Sequence, residues 1–108
     1  FLPGGGIEGE ESPQDCITRE CMEDLALEVK IGSHICNVDL FHQSDKTRLF
    51  YHSMGEFYFT KLLKQLDQPS EEDHILVWMN ADEAVNNLRL ESQSWAVSKA
   101  LKMNKEIV

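Results

Sequence analysis

Glu20, Glu23 and Asp24 stand at i, i+3 and i+4 within Arg19-Glu20-Cys21-Met22-Glu23-Asp24-Leu25. If that segment is helical, the three carboxylates share one face. Like charges at this spacing repel and weaken a helix unless something cationic sits among them. A divalent, oxygen-seeking metal ion is such a cation. A chain with this cluster is therefore constrained twice: it must build the helix and supply the counter-charge.

The flanking residues predict the helix. Ser12 is a ready N-cap, Pro13 suits the first helical position and Asp15 falls in the first turn. Ile17, Cys21 and Leu25 recur every four residues and form the stripe that faces the core. On a helical wheel the acids fill an arc of ~100° beside that stripe. The helix can then pack on a sheet while its carboxylates point into a cleft. Before it, Gly4 to Glu10 reads as a loop whose three consecutive glycines permit close approach of backbone to a ligand. No Gly-Lys-Ser/Thr follows, which excludes a P-loop.

Gly5, Glu11, Arg19, Glu20, Glu23 and Leu27 also fall at fixed intervals, with Cys21 in an apolar slot. The pattern is glycine, five residues, glutamate, seven residues, Arg-Glu, an apolar residue and a second acidic pair. It closely resembles the signature box of the Nudix (MutT-like) hydrolases, which cleave nucleoside diphosphates linked to another moiety. Two positions depart: Asp24 stands where the family has its last glutamate, and Ala26 where it has glycine. Phe1-Leu2-Pro3-Gly4-Gly5-Gly6 looks like the family's lead-in, and His74 to Leu88 like its C-terminal portion.

The resemblance implies an α/β fold, a Nudix-like mixed sheet packed between helices, in a single domain over 1–108. It implies metal-dependent hydrolysis of a pyrophosphate bond in a small nucleotide derivative, with Mg2+ as cofactor and Mn2+ as an alternative. Glu20, Glu23 and Asp24 become the metal ligands, joined by the backbone carbonyl near Gly5. Glu20 doubles as the base that activates water, although in some relatives a loop residue does so, and Glu71, Glu72 and Asp73 are loop candidates here. Arg19 and Glu11 complete the catalytic set, Arg19 pairing with Glu11 to pin the glycine loop onto the helix. Against that role stands a plain surface ion pair, worth at most ~1 kcal/mol. Asp24 is one methylene shorter than glutamate and withdraws its carboxylate by about 1.5 Å, which weakens activity rather than abolishing it. The alternative function is a non-catalytic Nudix-like module that binds nucleotide or protein.

Phe1-Leu2-Pro3 reads as the tail of a strand, and Nudix domains carry further strands before this point. By resemblance the domain lacks its N-terminal strands, which leaves a sheet edge open to dimerisation or strand exchange.

Composition narrows the remaining classes. The apolar and charged fractions, 42% and 27%, are those of a globular domain. Of the net charge of −9, −6 lies in residues 1–24, where Arg19 is the only cation. Such a field repels a nucleic-acid backbone unless metal ions intervene. No apolar run approaches the ~20 residues of a membrane helix. Cys16, Cys21 and Cys36 form no C-x-x-C pair and suit a reducing, cytoplasmic setting, with Cys16 and Cys21 packing on the inner side of the helix. His34, His42, His52 and His74 have no metal-ligand spacing.

Beyond the box, Leu27 to Phe41 reads as a strand with Gly32 as a bulge, and Arg48 to Leu63 as its hairpin partner, interrupted at Ser53 to Gly55. Ile75 to Met79 reads as a short buried strand. Asn80 or Asp82 caps a helix through Leu88, and Ser92 or Ser94 starts a last helix that reaches about Lys102. Trp78 and Trp95 are most simply core residues. Phe57 and Tyr58 are aromatic groups on which a base could stack.

Overall fold

A computed structural model describes residues 1–43, 46, 48–66 and 75–107. Helix α1 (Pro13–Leu25) starts where the capping residues require. Ser12 Oγ accepts from the Asp15 N–H at 3.0 Å, and Asp15 returns the favour to the Ser12 N–H at 3.5 Å, so two otherwise orphaned donors are satisfied. Cys16 and Cys21 are its fully buried side chains, while Ile17 and Leu25 are half-buried.

The helix ends on Ala26, in the left-handed conformation with φ 54° and ψ 41°. Its N–H closes onto the Cys21 and Met22 carbonyls, and its own carbonyl accepts from Leu66 N–H at 2.8 Å. The chain thus keeps the left-handed turn with an alanine rather than reshaping it. The steric cost of about 1–2 kcal/mol is offset by those bonds and by nearly complete burial of the residue.

Strand β1 (Leu27–Gln43) pairs antiparallel with β2 (Phe50–Gln65) from Leu27↔Gln65 to Gln43↔Phe50. The register slips near Gly32, between Ile31 and His34, as expected of a bulge. A Cβ at Gly32 would approach the Phe59 carbonyl to 3.1 Å, so the two strands come close where the side chain is absent. The interruption expected at Ser53 to Gly55 does not occur. Gly55 pairs with Val38 and the ladder runs through it, because β-prone neighbours on both sides hold the register.

Asn80, not Asp82, caps α2 (Ala81–Asn87), its Oδ1 accepting from Glu83 N–H at 2.8 Å. Helix α3 (Glu91–Ile107) begins before either candidate serine and runs past Lys102. Ser94 instead ties the two helices, its hydroxyl donating to the Val85 carbonyl at 3.1 Å. Both α1 and α3 pack against β1. The α/β class expected from the sequence is the one observed, with two antiparallel strands forming the sheet among the described residues.

Three further expectations fail. Ile75 to Met79 is neither strand nor buried: no described strand lies beside it, and Ile75 is 86% exposed. Trp78 within it is 63% exposed and Trp95 52% exposed, so neither is core. In α3 the inward position belongs to Ala96, which turns Trp95 outward beneath the Lys99 ammonium, 5.8 Å from the ring centroid. Among the described residues the core is accordingly thin, made of Cys16, Cys21, Ala26, Leu27, Cys36 and Ala96.

The left-handed cap has a measurable consequence in urea denaturation. Ala26→Gly relieves strain but loses a buried methyl and loosens the unfolded chain, so its stability stays within about 1 kcal/mol of the parent. Ala26→Val places a β-branched residue in a region it avoids, inside a filled site, and loses at least about 2 kcal/mol. Equal stability of the valine variant and the parent would rule out this cap.

Candidate functional site

The box converges on one guanidinium. Arg19 grips Glu11 through two bonds, Nε to Oε2 at 3.1 Å and Nη2 to Oε1 at 2.8 Å. Nη2 also donates to the Gly6 carbonyl at 3.2 Å, fastening the glycine loop to α1. The expected pairing of Arg19 with Glu11 is thus realised as a bidentate, charge-assisted contact.

The other side of the same group meets the helix face. Nη1 donates to Glu20 Oε1 and to Glu23 Oε2, both at 3.1 Å, and lies 3.9 Å from Glu8 Oε1. The cation sitting among the like charges is therefore Arg19 itself. Asp24 lies against Glu20 and lines a second cleft with Leu27, Trp78 and Leu88. Among the described residues, no three His, Cys, Asp or Glu side chains are grouped as a ready metal cage.

Gly5 is the backbone partner of this face. A Cβ there would lie 2.5 Å from Glu20 Oε1, so only glycine lets the loop come this close to the carboxylate without displacing it. The Cys16 thiol donates to the Gly5 carbonyl at 3.4 Å, orienting the loop from below. Nothing in the sequence pattern pointed to that contact, nor to the Glu8 N–H that supports Glu11 Oε1 at 2.8 Å. Both depend on how the loop folds back over α1.

Electrostatics separate the carboxylates. The Arg19 bonds, then the Glu8 N–H, hold the Glu11 carboxyl down at about 2. Glu20 is pushed upward, first by burial and then by neighbouring Asp24, against the pull of Arg19. Its side chain is 16% exposed, whereas that of Glu23 is 49% exposed. Burial also raises the Cys16 and Cys21 thiols, which keeps them protonated and unreactive.

A cleft of about 810 Å³ opens beside the box, lined by Gly5, Cys16, Leu27, Met54, Phe57 and Trp78 among others. Tyr58 also reaches it, its hydroxyl bonded to Glu56 at 3.1 Å. His34 is a surface strand residue bonded to Asn37. Glu71, Glu72, Asp73 and His74 lie outside the described residues, as do the side chains of His42 and His52.

The NUDIX domain family model matches residues 1–101, and the chain belongs to the Nudix family. Membership points to pyrophosphohydrolase chemistry on small nucleotide derivatives, generally with divalent metal ions. No curated protein matches the chain significantly. Among the described residues, no helix is long and apolar enough to cross a membrane.

The Glu11–Arg19 pair predicts an acid limb. A carboxyl held at about 2 against an ordinary 4.5 contributes stability above pH 4.5 that is lost as pH falls towards 2. Glu20 acts in the opposite sense, because a raised carboxyl disfavours the fold once it ionises. Urea midpoints across that acid range should therefore fall more steeply for the parent than for Glu11→Gln. Parallel curves would show that the pair does not persist in solution.

Proposed function

We propose that this chain forms a single Nudix-like domain and hydrolyses a pyrophosphate bond in a nucleoside diphosphate derivative. Glu20, Glu23 and Asp24 would hold Mg2+, or Mn2+ in its place, with the Gly5 carbonyl beside them. The observation that carries the reading is the approach of Gly5 to Glu20 on a helix face bearing three carboxylates. The donor set suits a hard cation, and the space a Cβ would fill at Gly5 is the place where backbone and carboxylate can share one. Bound there, Mg2+ would neutralise phosphate oxygens and position the diphosphate.

The residues of this chain then have separate tasks. Glu20 takes a proton from the attacking water, whose oxygen bonds to one phosphorus as the bridging P–O bond breaks. Burial and then Asp24 push its carboxyl upward, which makes it the stronger base. Arg19 and Glu11 keep the glycine loop on the helix while the substrate is held. The mainly apolar cleft beside Gly5 supports accommodation of the moiety outside the phosphates. A cytoplasmic setting fits the three free thiols.

A panel of nucleoside diphosphate derivatives, assayed with and without Mg2+, tests this reading through phosphate or nucleotide release. Turnover should require the metal, and Glu20→Gln should lower kcat by about 10²–10⁴-fold. Nucleotide binding without turnover would favour a non-catalytic binding module instead.

Asp24 gives a second handle. Asp24→Glu restores about 1.5 Å of reach and should lower the Mg2+ concentration for half-maximal activity. A rise in that concentration would show that Asp24 is not a ligand.

A further inference from the structure

The cleft of about 810 Å³ beside the glycine loop has an unusual charge pattern. Among the described residues that line it, Glu56 is the one charged side chain, with no lysine, arginine or histidine to answer it. Gly5 and Gly6 line the same cleft, which makes it continuous with the box. A diphosphate held at the box would place its next group here, so the inference rests on the function proposed above.

Two aromatic rings of the cleft are held by their neighbours. Tyr58 donates its hydroxyl to Glu56 Oε1 at 3.1 Å, and its ring meets that of His34 edge-on, with centroids 5.3 Å apart. The Phe57 ring lies back over Gly55, where a Cβ would stand 3.2 Å from a ring carbon. Rings already in place lose little freedom when a flat partner stacks on them. Glu56 itself is exposed. Its carboxylate has acceptor sites beyond the one Tyr58 uses, and no donor.

Charge and shape together narrow what fits. A further phosphate or carboxylate would find no cationic side chain in the cleft and would be repelled by Glu56. A sugar would set most of its hydroxyls against Met54, Leu62 and Trp78, which cannot bond them. A planar base with an exocyclic amine suits both parts of the wall, since its face stacks and its N–H donates to a carboxylate. We propose that Glu56 determines specificity by accepting from the exocyclic amine of an uncharged nucleobase stacked in the cleft on Phe57 and Tyr58. Cytosine carries such an amine. Uracil has a carbonyl oxygen in its place, and an acceptor facing a carboxylate is repelled.

The test uses symmetric dinucleoside diphosphates, so that either end presents the same base. The compound with cytosine at both ends is compared with its uracil counterpart in the presence of Mg2+, in the parent and in Glu56→Gln. Calorimetry supplies the affinity ratio where turnover is absent. The parent should favour the cytosine compound about ten-fold in kcat/KM, towards the lower end of what one base contact discriminates. In Glu56→Gln the ratio should fall close to one, because an amide both accepts and donates. Equal use of the two compounds by the parent, or a ratio that Glu56→Gln leaves unchanged, overturns the inference while hydrolysis stands. If the parent hydrolyses neither compound, the proposed activity fails and affinity decides the inference. A cytosine preference lost in Glu56→Gln then upholds it, and equal affinity or no binding overturns it.

Discussion

One guanidinium makes this arrangement possible. Three acids within five residues of a helix destabilise it by mutual repulsion, and a glycine loop has no side chains with which to hold itself in place. Arg19 answers both problems at once, bridging Glu20 and Glu23 on the helix and Glu11 and Gly6 on the loop. Glu11 and Glu20 are partly shielded from solvent, so their contacts with Arg19 are screened less than an ordinary surface pair, while Glu23 is more exposed.

The scaffold around that bridge is economical. A capping box fixes the start of α1, and the left-handed Ala26 fixes its end. Cys16 and Cys21 fill the space beneath with small, protonated side chains, and Cys16 reaches up to the Gly5 carbonyl. Because Gly5 has no side chain, the loop and the Glu20 carboxylate meet at a distance no other residue would allow undisturbed. The Leu2 N–H bond to Gln93 Oε1 at 2.8 Å holds the approach to the loop against α3.

Features encoded by local chemistry could be read from the sequence. Ser12-Pro13 announces the helix start, alternation and β-prone residues announce the hairpin, and the Glu11–Arg19 spacing anticipates their pairing. Features set by distant neighbours could not. Ile75 to Met79 is an apolar run with the pattern of a buried strand, but burial depends on a partner that no local pattern encodes. Trp95 looks like core until α3 turns Ala96 inward instead. The spacing of Glu20 and Glu23 called for a cation without saying which, and a neighbouring arginine satisfies it as readily as a metal does.

The bond from Leu66 N–H to the Ala26 carbonyl bears on the order in which the molecule assembles. Its two ends lie at opposite limits of the hairpin, so it forms only after β2 has returned along β1. Closing so long a segment costs chain entropy before any contact repays it. All of α1, its last turn included, is held by local bonds and can form early, whereas the Ala26 carbonyl gains its partner only when the sheet is in place. Glu23 and Asp24 sit in that last turn. The carboxylates can therefore stand in helical register before the hairpin closes, and it is the exit of the chain from α1 that is fixed late.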